Sequence, residues 1–417
     1  MKKNNCFDSN ILTEVTDAKK MLLKGIKTTT KIESVDLSNS IGRILAKNIK
    51  SDFNIPPHDN AALDGYAFNL NDSLKRKKIK IIGTSKPGKP FLKKINSGEG
   101  IRIFTGAPIL HSKSGLKLNK ILMEEDCLFE NGHIVIPNRL DKKSNIRPKG
   151  EDIKKGLTII KKGKKIRAVD IGYFASMGLE KVVVYKKLKV GIFSSGNELS
   201  KKKKKKNKFQ IFDSNKITLI SLFNAIGCQP IDLGILNDNY NDAKKGLNTS
   251  TKVCDMIVTT GGISSSETDK IIDVLRDFGK IKFWRLAIKP GRPLAFGKLN
   301  NIPFFGLPGN PVAVIVTFFM IICEYINIFN GRTNYKLPFD RVSAGFSFKK
   351  KIDRTEWLRG SIKEIKKQFL LLRYEKQGSG ILSSIFNSHG IIELDSSIEV
   401  VKKGDKLKFY KFEEMLN

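Results

Sequence analysis

Histidine, cysteine and arginine are all scarce in this chain of 417 residues, and each scarcity argues against a class of function. The four histidines (His58, His111, His133 and His389) form no HExxH and no pair at helical spacing, which argues against a histidine-centred metal site. The five cysteines (Cys6, Cys127, Cys228, Cys254 and Cys323) are an odd number with no CxxC pair. Neither a disulfide framework nor a zinc ribbon fits, so ordinary buried thiols in a reducing cytosol are expected. The basic N-terminus, MKKNNCFDSNILTEV, lacks an apolar h-region, so no signal peptide is read. Only 14 of the 76 basic residues are Arg, the side chain best suited to bidentate contacts with phosphate and guanine.

That last shortage changes how the net charge of +35 is read. A balance this basic suggests an anionic partner: nucleic acid, an acidic membrane surface or a phosphorylated small molecule. The lysines, however, run along the whole chain, from Lys2-Lys3 to Lys402-Lys403, beside many Ile and Asn, which looks like compositional drift. Nucleic acid is therefore not expected. With 40% hydrophobic and 28% charged residues, the chain is neither a disordered tail nor a membrane bundle. Its length suggests two to four domains. One apolar run, Val312 to Phe329, approaches the length of a membrane span, but it contains Glu324 and Asn327 and is bounded by Pro311 and Gly331. A buried core helix is expected there, and no membrane.

Residues 10–48 read as helical, with Thr13 or Thr16 as the N-cap. Residues 49–145 carry short apolar runs broken by Gly, Pro and Asn (KIKIIGTS, GIRIFTGAP, GHIVIP), which predict a β-rich module. The 146–180 stretch turns back toward helix. From Lys187, strand and helix alternate: LKVGIFSSG, a helix capped by Ser214 and closed by Gly227, PIDLGIL, a polar helix near Tyr240–Asn248, CDMIVTTGG, TDKIIDVLRDFG, and IKFWRLAIK as one strand. Continuous apolar strands alternating with helices predict a parallel sheet covered on both faces. The last stretch returns to short strands and turns, consistent with a small barrel.

In a doubly wound sheet, ligands bind beyond the carboxyl ends of the strands. Here those ends carry Glu198, then Asn237-Asp238, then Thr260-Gly261-Gly262-Ile263-Ser264 with Asp269 beyond. Two glycines let backbone approach a ligand, the helix start offers N–H groups to an anion, and Thr260 and Ser264 add hydroxyls. Carboxylates repel phosphate unless a divalent cation lies between, so Glu198, Asp238 and Asp269 point to Mg²⁺, unless Asp269 only caps its helix. Two rigid turns follow: Lys289-Pro290-Gly291-Arg292-Pro293, and Gly306 to Pro311 with Pro308 and Pro311. Lys289 and Arg285 are candidate pocket cations. In the β-rich region, Asp64 sits in the PPHDNAALDGYA turn and Thr105 in IFTGAP.

The segments PPHDNAALDGYAF, RIFTGAP, IRPKGEDI, SSGNEL, FDSN, VTTGGISSSETD, FWRLAIKPGRPLAFGKL and GLPGNPVA, with DRTEWLRG and KQGSGILSS further on, resemble in order the molybdopterin molybdenumtransferases, the MoeA family that also includes the gephyrin E domain. The resemblance implies a multidomain α/β and β protein. Its parts would be a MogA-like doubly wound α/β domain (187–331), an inserted β-rich domain (49–145), a helical domain made of 1–48 and 146–186, and a C-terminal β-barrel (332–417). It implies an enzyme of molybdenum cofactor biosynthesis that takes adenylylated molybdopterin and molybdate, inserts molybdenum and releases AMP with Mg²⁺. Carried over by motif, Asp64, Thr105, Asp152, Glu198, Asp238 and Asp269 would be catalytic, with the metal on Glu198, Asp238 and Asp269. Arg147, Thr260, Gly261, Gly262, Ser264 and Arg285 would hold pterin or phosphates, Pro308 and Pro311 would contribute to the substrate site, and Lys289, Arg359 and Ser379 would hold molybdate. A cytoplasmic homodimer with the cleft at its interface is implied, with Asp64 and the α/β residues drawn from different chains. Transient contacts with the adenylyltransferase and acceptor molybdoenzymes are implied too. Two departures are Asn197, where the family usually has Asp, and Ala313, where Ser is common.

Two other readings compete. An enzyme that adenylylates molybdopterin would share the α/β domain, but DNAALDGYAF and the C-terminal barrel argue against it. A nucleic-acid binder or scaffold lacks any recognisable module or long linker. The Lys201–Lys206 run is a solvated loop or a steering element for anions.

Overall fold

From Lys189 onward, runs such as Val-Gly-Ile-Phe and Met-Ile-Val leave no polar face, so the strands they form must be covered on both sides. The protein is described by a computed structural model over residues 12–110, 115–200, 208–237, 239–263 and 270–416. The chain divides into two compact units, one made of Met1–Ala46, Gly163–Arg167 and Lys181–Asn417, the other of Lys47–Lys162 and Ala168–Glu180.

In the first unit, six strands form one sheet: β1 (Lys189–Ser195), β2 (Gln229–Leu236), β3 (Met256–Thr260), β4 (Gly279–Trp284), β5 (Ala295–Leu299) and β6 (Ile302–Leu307). Their spatial order is β2-β1-β3-β6-β5-β4. The pairs β2–β1, β1–β3 and β3–β6 are parallel, whereas β6–β5 and β5–β4 are antiparallel. The expected wholly parallel sheet is thus mixed at one side. The cause is a hairpin at Asn300 and Asn301, both with positive φ (46° and 67°), as a type I′ turn needs. IKFWRLAIK is not one strand either: the chain leaves β4 at Arg285, whose φ is 70°, and resumes as the short strand Ile288–Lys289.

Helices α1 (Ser214–Ala225), α2 (Tyr240–Ser250) and α3 (Lys270–Phe278) connect these strands. The cap of α1 is Asp213, not Ser214: its carboxylate accepts the Lys216 N–H at 3.1 Å. The apolar run becomes helix Pro311–Thr317, a π-helical turn Phe318–Ile322 and helix Cys323–Phe329. It is long and apolar enough to cross a membrane but is mostly buried against the sheet, where Tyr325 packs edge-on against Phe305 and Phe296. Each such buried side chain contributes roughly 1.5–3 kcal/mol.

Five further strands, β7 (Asp340–Ala344), β8 (Thr355–Ile365), β9 (Gln368–Arg373), β10 (Gly390–Leu394) and β11 (Lys406–Lys411), close a barrel in the order β8-β9-β7-β11-β10 and back to β8. The strand Ile288–Lys289 runs parallel beside the start of β8, pairing Ile288 with Thr355 and Lys289 with Glu356. The N-terminal stretch is far less helical than its sequence suggests. Helix Val15–Leu23 has Glu14 at its cap position with no side-chain cap bond, and strand Ile32–Asp36 follows, paired with Lys181–Tyr185.

The second unit is built on a six-stranded sheet whose members include Gly65–Phe68, Lys78–Ser85, Glu99–Ile103 and His133–Val135. Residues 146–180 contribute two short strands and only one helix, Ala168–Ser176, because Gly150, Gly156 and Gly163 turn the chain at positive φ. Among the described cysteines, Cys228, Cys254 and Cys323 are buried. Burial pushes the thiol of Cys228 up to about 12 and that of Cys323 to about 11, so neither is a nucleophile near neutral pH.

Candidate active site

The parallel strands β1, β3 and β6 are neighbours, so the loops after Ser195, Thr260 and Leu307 leave the sheet at the same edge. With the turn at 289–293 and the barrel residues Arg354 and 377–379, they line a cavity of about 810 Å³. Gly261 and Gly262 have φ of +81° and +72°. A Cβ on Gly261 would meet the Ser195 carbonyl oxygen at 2.3 Å, and one on Gly262 would meet Ile271 at 2.5 Å, so this turn needs both glycines.

A network behind the cavity fixes the loops. The Ser194 hydroxyl donates to Asp213, the cap of α1. Two residues on, the Asn215 amide donates to Thr260 Oγ1 at 2.9 Å and to the Gly309 carbonyl at 2.6 Å. Thr260 Oγ1 in turn donates to the Pro308 carbonyl at 3.1 Å and is buried. The Thr260 hydroxyl, expected as a ligand donor, is therefore spent on tying the glycine turn to the 308–310 loop. Replacing Asn215 with Leu should remove both bonds and lower stability by about 1–3 kcal/mol, read as a lower unfolding midpoint, because each is worth ~0.5–1.5 kcal/mol.

Glu198 is exposed and is the acidic side chain lining the cavity among the described residues. Its carboxylate folds back over Gly196, where an added Cβ would lie 2.5 Å from Oε2. Lys289, Arg292 and Arg354 supply positive charge, and Pro308, Pro311 and Ser379 complete the wall. Ser379 is pinned twice: its hydroxyl accepts from the Asn310 amide at 3.1 Å and its carbonyl accepts the Val312 N–H at 3.1 Å. Asp238, Ser264, Asp269 and the Lys201–Lys206 run lie outside the described residues. Among the described residues no group of three His, Cys, Asp or Glu could hold a metal. The carboxylate of Glu198 is a hard oxygen donor of the kind that Mg²⁺ takes beside phosphate.

Two expected ligands are placed differently. Arg359 is only 1% exposed and does not line the cavity. It donates to the Ser384 hydroxyl, the Trp357 carbonyl and, at 3.4 Å, the Gly378 carbonyl. Burial lowers its pKa to about 10, which leaves it charged at neutral pH while it anchors the loop bearing Ser379. Arg285 stacks on the Trp284 ring, 4.2 Å from its centroid, and does not line the cavity either.

The second unit holds its own polar cluster. Asp64 accepts from the Thr105 hydroxyl at 2.6 Å and from the Thr105 N–H at 2.7 Å, and these bonds hold its carboxyl below the usual range. Arg147 pairs with Glu151 at 2.7 Å, an exposed ion pair worth about 0–1 kcal/mol. Burial and then the charge of Asp152 raise the pKa of Tyr173, whose hydroxyl bonds Asp152.

Sequence reading missed Arg354, Glu356, Asn215 and Asn310. Period-two alternation in Arg354-Thr355-Glu356 was a usable signal, since it puts both charges on one face of a strand.

Family models match the described elements in order. The MoeA N-terminal region (domain I and II) matches residues 13–178, a probable molybdopterin binding domain matches 191–327, and the MoeA C-terminal region (domain IV) matches 341–412. The chain is 34% identical over 403 residues to the molybdopterin molybdenumtransferase of Haemophilus influenzae, covering 96% of this chain and 98% of that one. It is 30% identical over 393 residues to a putative molybdopterin biosynthesis protein of Methanocaldococcus jannaschii, covering 91% and 92%. A solved molybdopterin biosynthesis MoeA protein from Pyrococcus horikoshii superposes with a TM-score of 0.83 at 27% identity, over 96% of this chain and 100% of that one.

Proposed function

The chain belongs to the MoeA family, as a molybdopterin molybdenumtransferase of molybdenum cofactor biosynthesis, and on that premise we propose that it converts adenylylated molybdopterin and molybdate to molybdenum cofactor with release of AMP. The observation that carries this reading is the cavity itself. It combines a double-glycine turn, cations on one wall and a carboxylate on another, which is the chemistry a pyrophosphate-linked pterin and an oxyanion require.

Water attacks the phosphoanhydride and the bond to AMP breaks, so charge builds on the bridging and terminal oxygens. Backbone at Gly261 and Gly262 approaches the phosphates, while Pro308 and Pro311 shape the wall. Thr260 sets the position of that wall, and Ser264 and Arg285 are proposed to contribute on the pterin side. Lys289 and Ser379 hold molybdate, and Arg359 acts through the loop that bears Ser379. Glu198, with Asp238 and Asp269, would hold Mg²⁺, which when bound offsets the phosphate charge. Asp64, Thr105 and Asp152 remain proposed catalytic groups and Arg147 a substrate group. Asp64 is ready for such a role because its carboxylate is kept ionised by Thr105.

A cytoplasmic homodimer, transient contacts with an adenylyltransferase and acceptor molybdoenzymes, and the division at 48, 145, 186 and 331 belong to the same proposal. Light scattering should give twice the chain mass of 46.8 kDa. The function is tested by incubating the protein with adenylylated molybdopterin. AMP should appear when molybdate and Mg²⁺ are both present and stop when EDTA removes the metal. Equal AMP release without molybdate would overturn the reading.

A further inference from the structure

The amino ends of β1, β3 and β6, opposite the edge that carries the cavity, border a second depression of about 550 Å³. The chain just after helix Val15–Leu23 lines it with Lys24, Lys27 and Lys31, and the sheet lines it with Lys282 of β4 and Lys298 of β5. Leu22, Leu188, Phe296 and Tyr325 line it too and are themselves buried, so its floor is apolar. Lys282 Nζ donates to the Met21 carbonyl at 3.1 Å and faces the Lys24 carbonyl at 3.5 Å, where a helix end attracts a cation. Burial, then the charges of Lys298 and Lys24, lower the pKa of Lys282, as crowding of like charges requires. Among the described residues, Asp255 is the acidic side chain that lines the depression. It is already engaged: one oxygen accepts from Lys31 Nζ at 2.6 Å and the other from the Lys189 N–H at 2.9 Å. Past Lys31 and Asp255 the surface continues into another depression of about 490 Å³, walled by Lys186, Lys187, Lys189 and Lys252. Compositional drift does not account for this imbalance. Over the whole chain 41 acidic residues accompany 76 basic ones, whereas here one described carboxylate faces nine lysines.

We infer that this basic track is a docking surface for an acidic segment of a partner protein, one that carries a large apolar side chain among its Asp and Glu residues. Charge complementarity sets the sign of the partner, and the apolar floor takes the large side chain. The two adjoining depressions together reach the upper limit of a small-molecule site, ~1,000 Å³, which favours an extended segment over a compact anion. Single-stranded nucleic acid fits less well: its bases stack on exposed aromatic faces, and Phe296 and Tyr325 are buried. A partner docked at this edge leaves the cavity at the opposite edge open. The inference goes beyond the reading of that cavity and does not depend on it.

Fluorescence anisotropy of a labelled peptide of Glu and Asp around one central Phe, titrated with the full-length protein, tests this. The wild type should bind with a Kd below about 1 mM at low salt, and the affinity should fall as salt rises. The triple variant Lys24→Gln, Lys282→Gln, Lys298→Gln should bind about tenfold more weakly, since it loses three surface ion pairs each worth a factor of ~1.5–5. The triple variant Lys402→Gln, Lys403→Gln, Lys406→Gln removes the same charge from exposed positions on the barrel and should bind within about twofold of the wild type. A peptide with Ser in place of Phe should bind the wild type about tenfold more weakly. No saturable binding, an equal loss in both triple variants, or equal affinity for the two peptides would overturn the inference. Tighter binding of single-stranded DNA or of anionic phospholipid vesicles than of the acidic peptide would overturn it too. Should the variant that includes Lys282→Gln not fold, Lys24→Gln, Lys27→Gln, Lys298→Gln makes the same comparison.

Discussion

Glu198→Gln is expected to lower molybdate-dependent AMP release by about a hundredfold or more, equivalent to ~2.7 kcal/mol of transition-state stabilisation at ~1.36 kcal/mol per decade. The substitution keeps shape and removes charge at an exposed position that follows β1. Stability should therefore change by no more than about 0.5 kcal/mol. On the proposed function, the loss would come from weaker binding of the divalent ion. A neutral amide is a poor ligand for a hard cation, and the phosphate charge beside it would then be unopposed. Kinetics at several Mg²⁺ concentrations check this: the variant should need more metal and still fall short at saturation. Wild-type turnover in Glu198→Gln would remove this residue from the catalytic set.

Arg359→Ala is expected to act through structure. The guanidinium is buried, and its removal leaves the Ser384 hydroxyl and the Trp357 and Gly378 carbonyls without their donor. Leaving buried hydrogen-bonding groups without their donor costs roughly 1–3 kcal/mol, so the melting transition that includes the barrel should fall by roughly 2–12 °C at ~2–4 °C per kcal/mol. The Gly378 contact lies one residue from Ser379, so KM for molybdate should rise as well. Lys at 359 should not restore the wild type, because an ammonium cannot span the same three acceptors. Calorimetric melting curves and molybdate kinetics, read together, separate this from a direct ligand role, which would raise KM without moving the melting temperature.

Much of the α/β unit was legible because its strands are apolar without interruption and its loops carry Gly, Pro and Asn where the chain must turn. Val190 to Phe193 and Met256 to Val258 could be nothing but covered strands. The hairpin between Leu299 and Ile302 was not read, since Asn300-Asn301 is a weaker turn signal than Asn-Gly and both flanking strands lie in apolar sequence. The N-terminal stretch 10–48 reads as helix from its candidate N-caps Thr13 and Thr16. Pairing with Lys181–Tyr185, far away in the chain, decides that Ile32–Asp36 is a strand, and no local signal carries that. At the site, motif residues such as Glu198, Lys289 and Ser379 were found and do line the cavity. Glu356 was not, because its meaning depends on the register between Ile288–Lys289 and β8. Arg359 was found, but a sequence motif does not tell a ligand from the residue that anchors the ligand's loop.

On the proposed function, molybdate insertion and anhydride cleavage are one coupled event at this cavity. The most direct measurement is a single-turnover reaction of the protein with adenylylated molybdopterin, counting AMP released against molybdenum retained in the pterin. A ratio of about one is expected, with neither product formed when molybdate is omitted. AMP released without molybdenum retained, or ATP consumed to adenylylate free molybdopterin in the absence of molybdate, would contradict it.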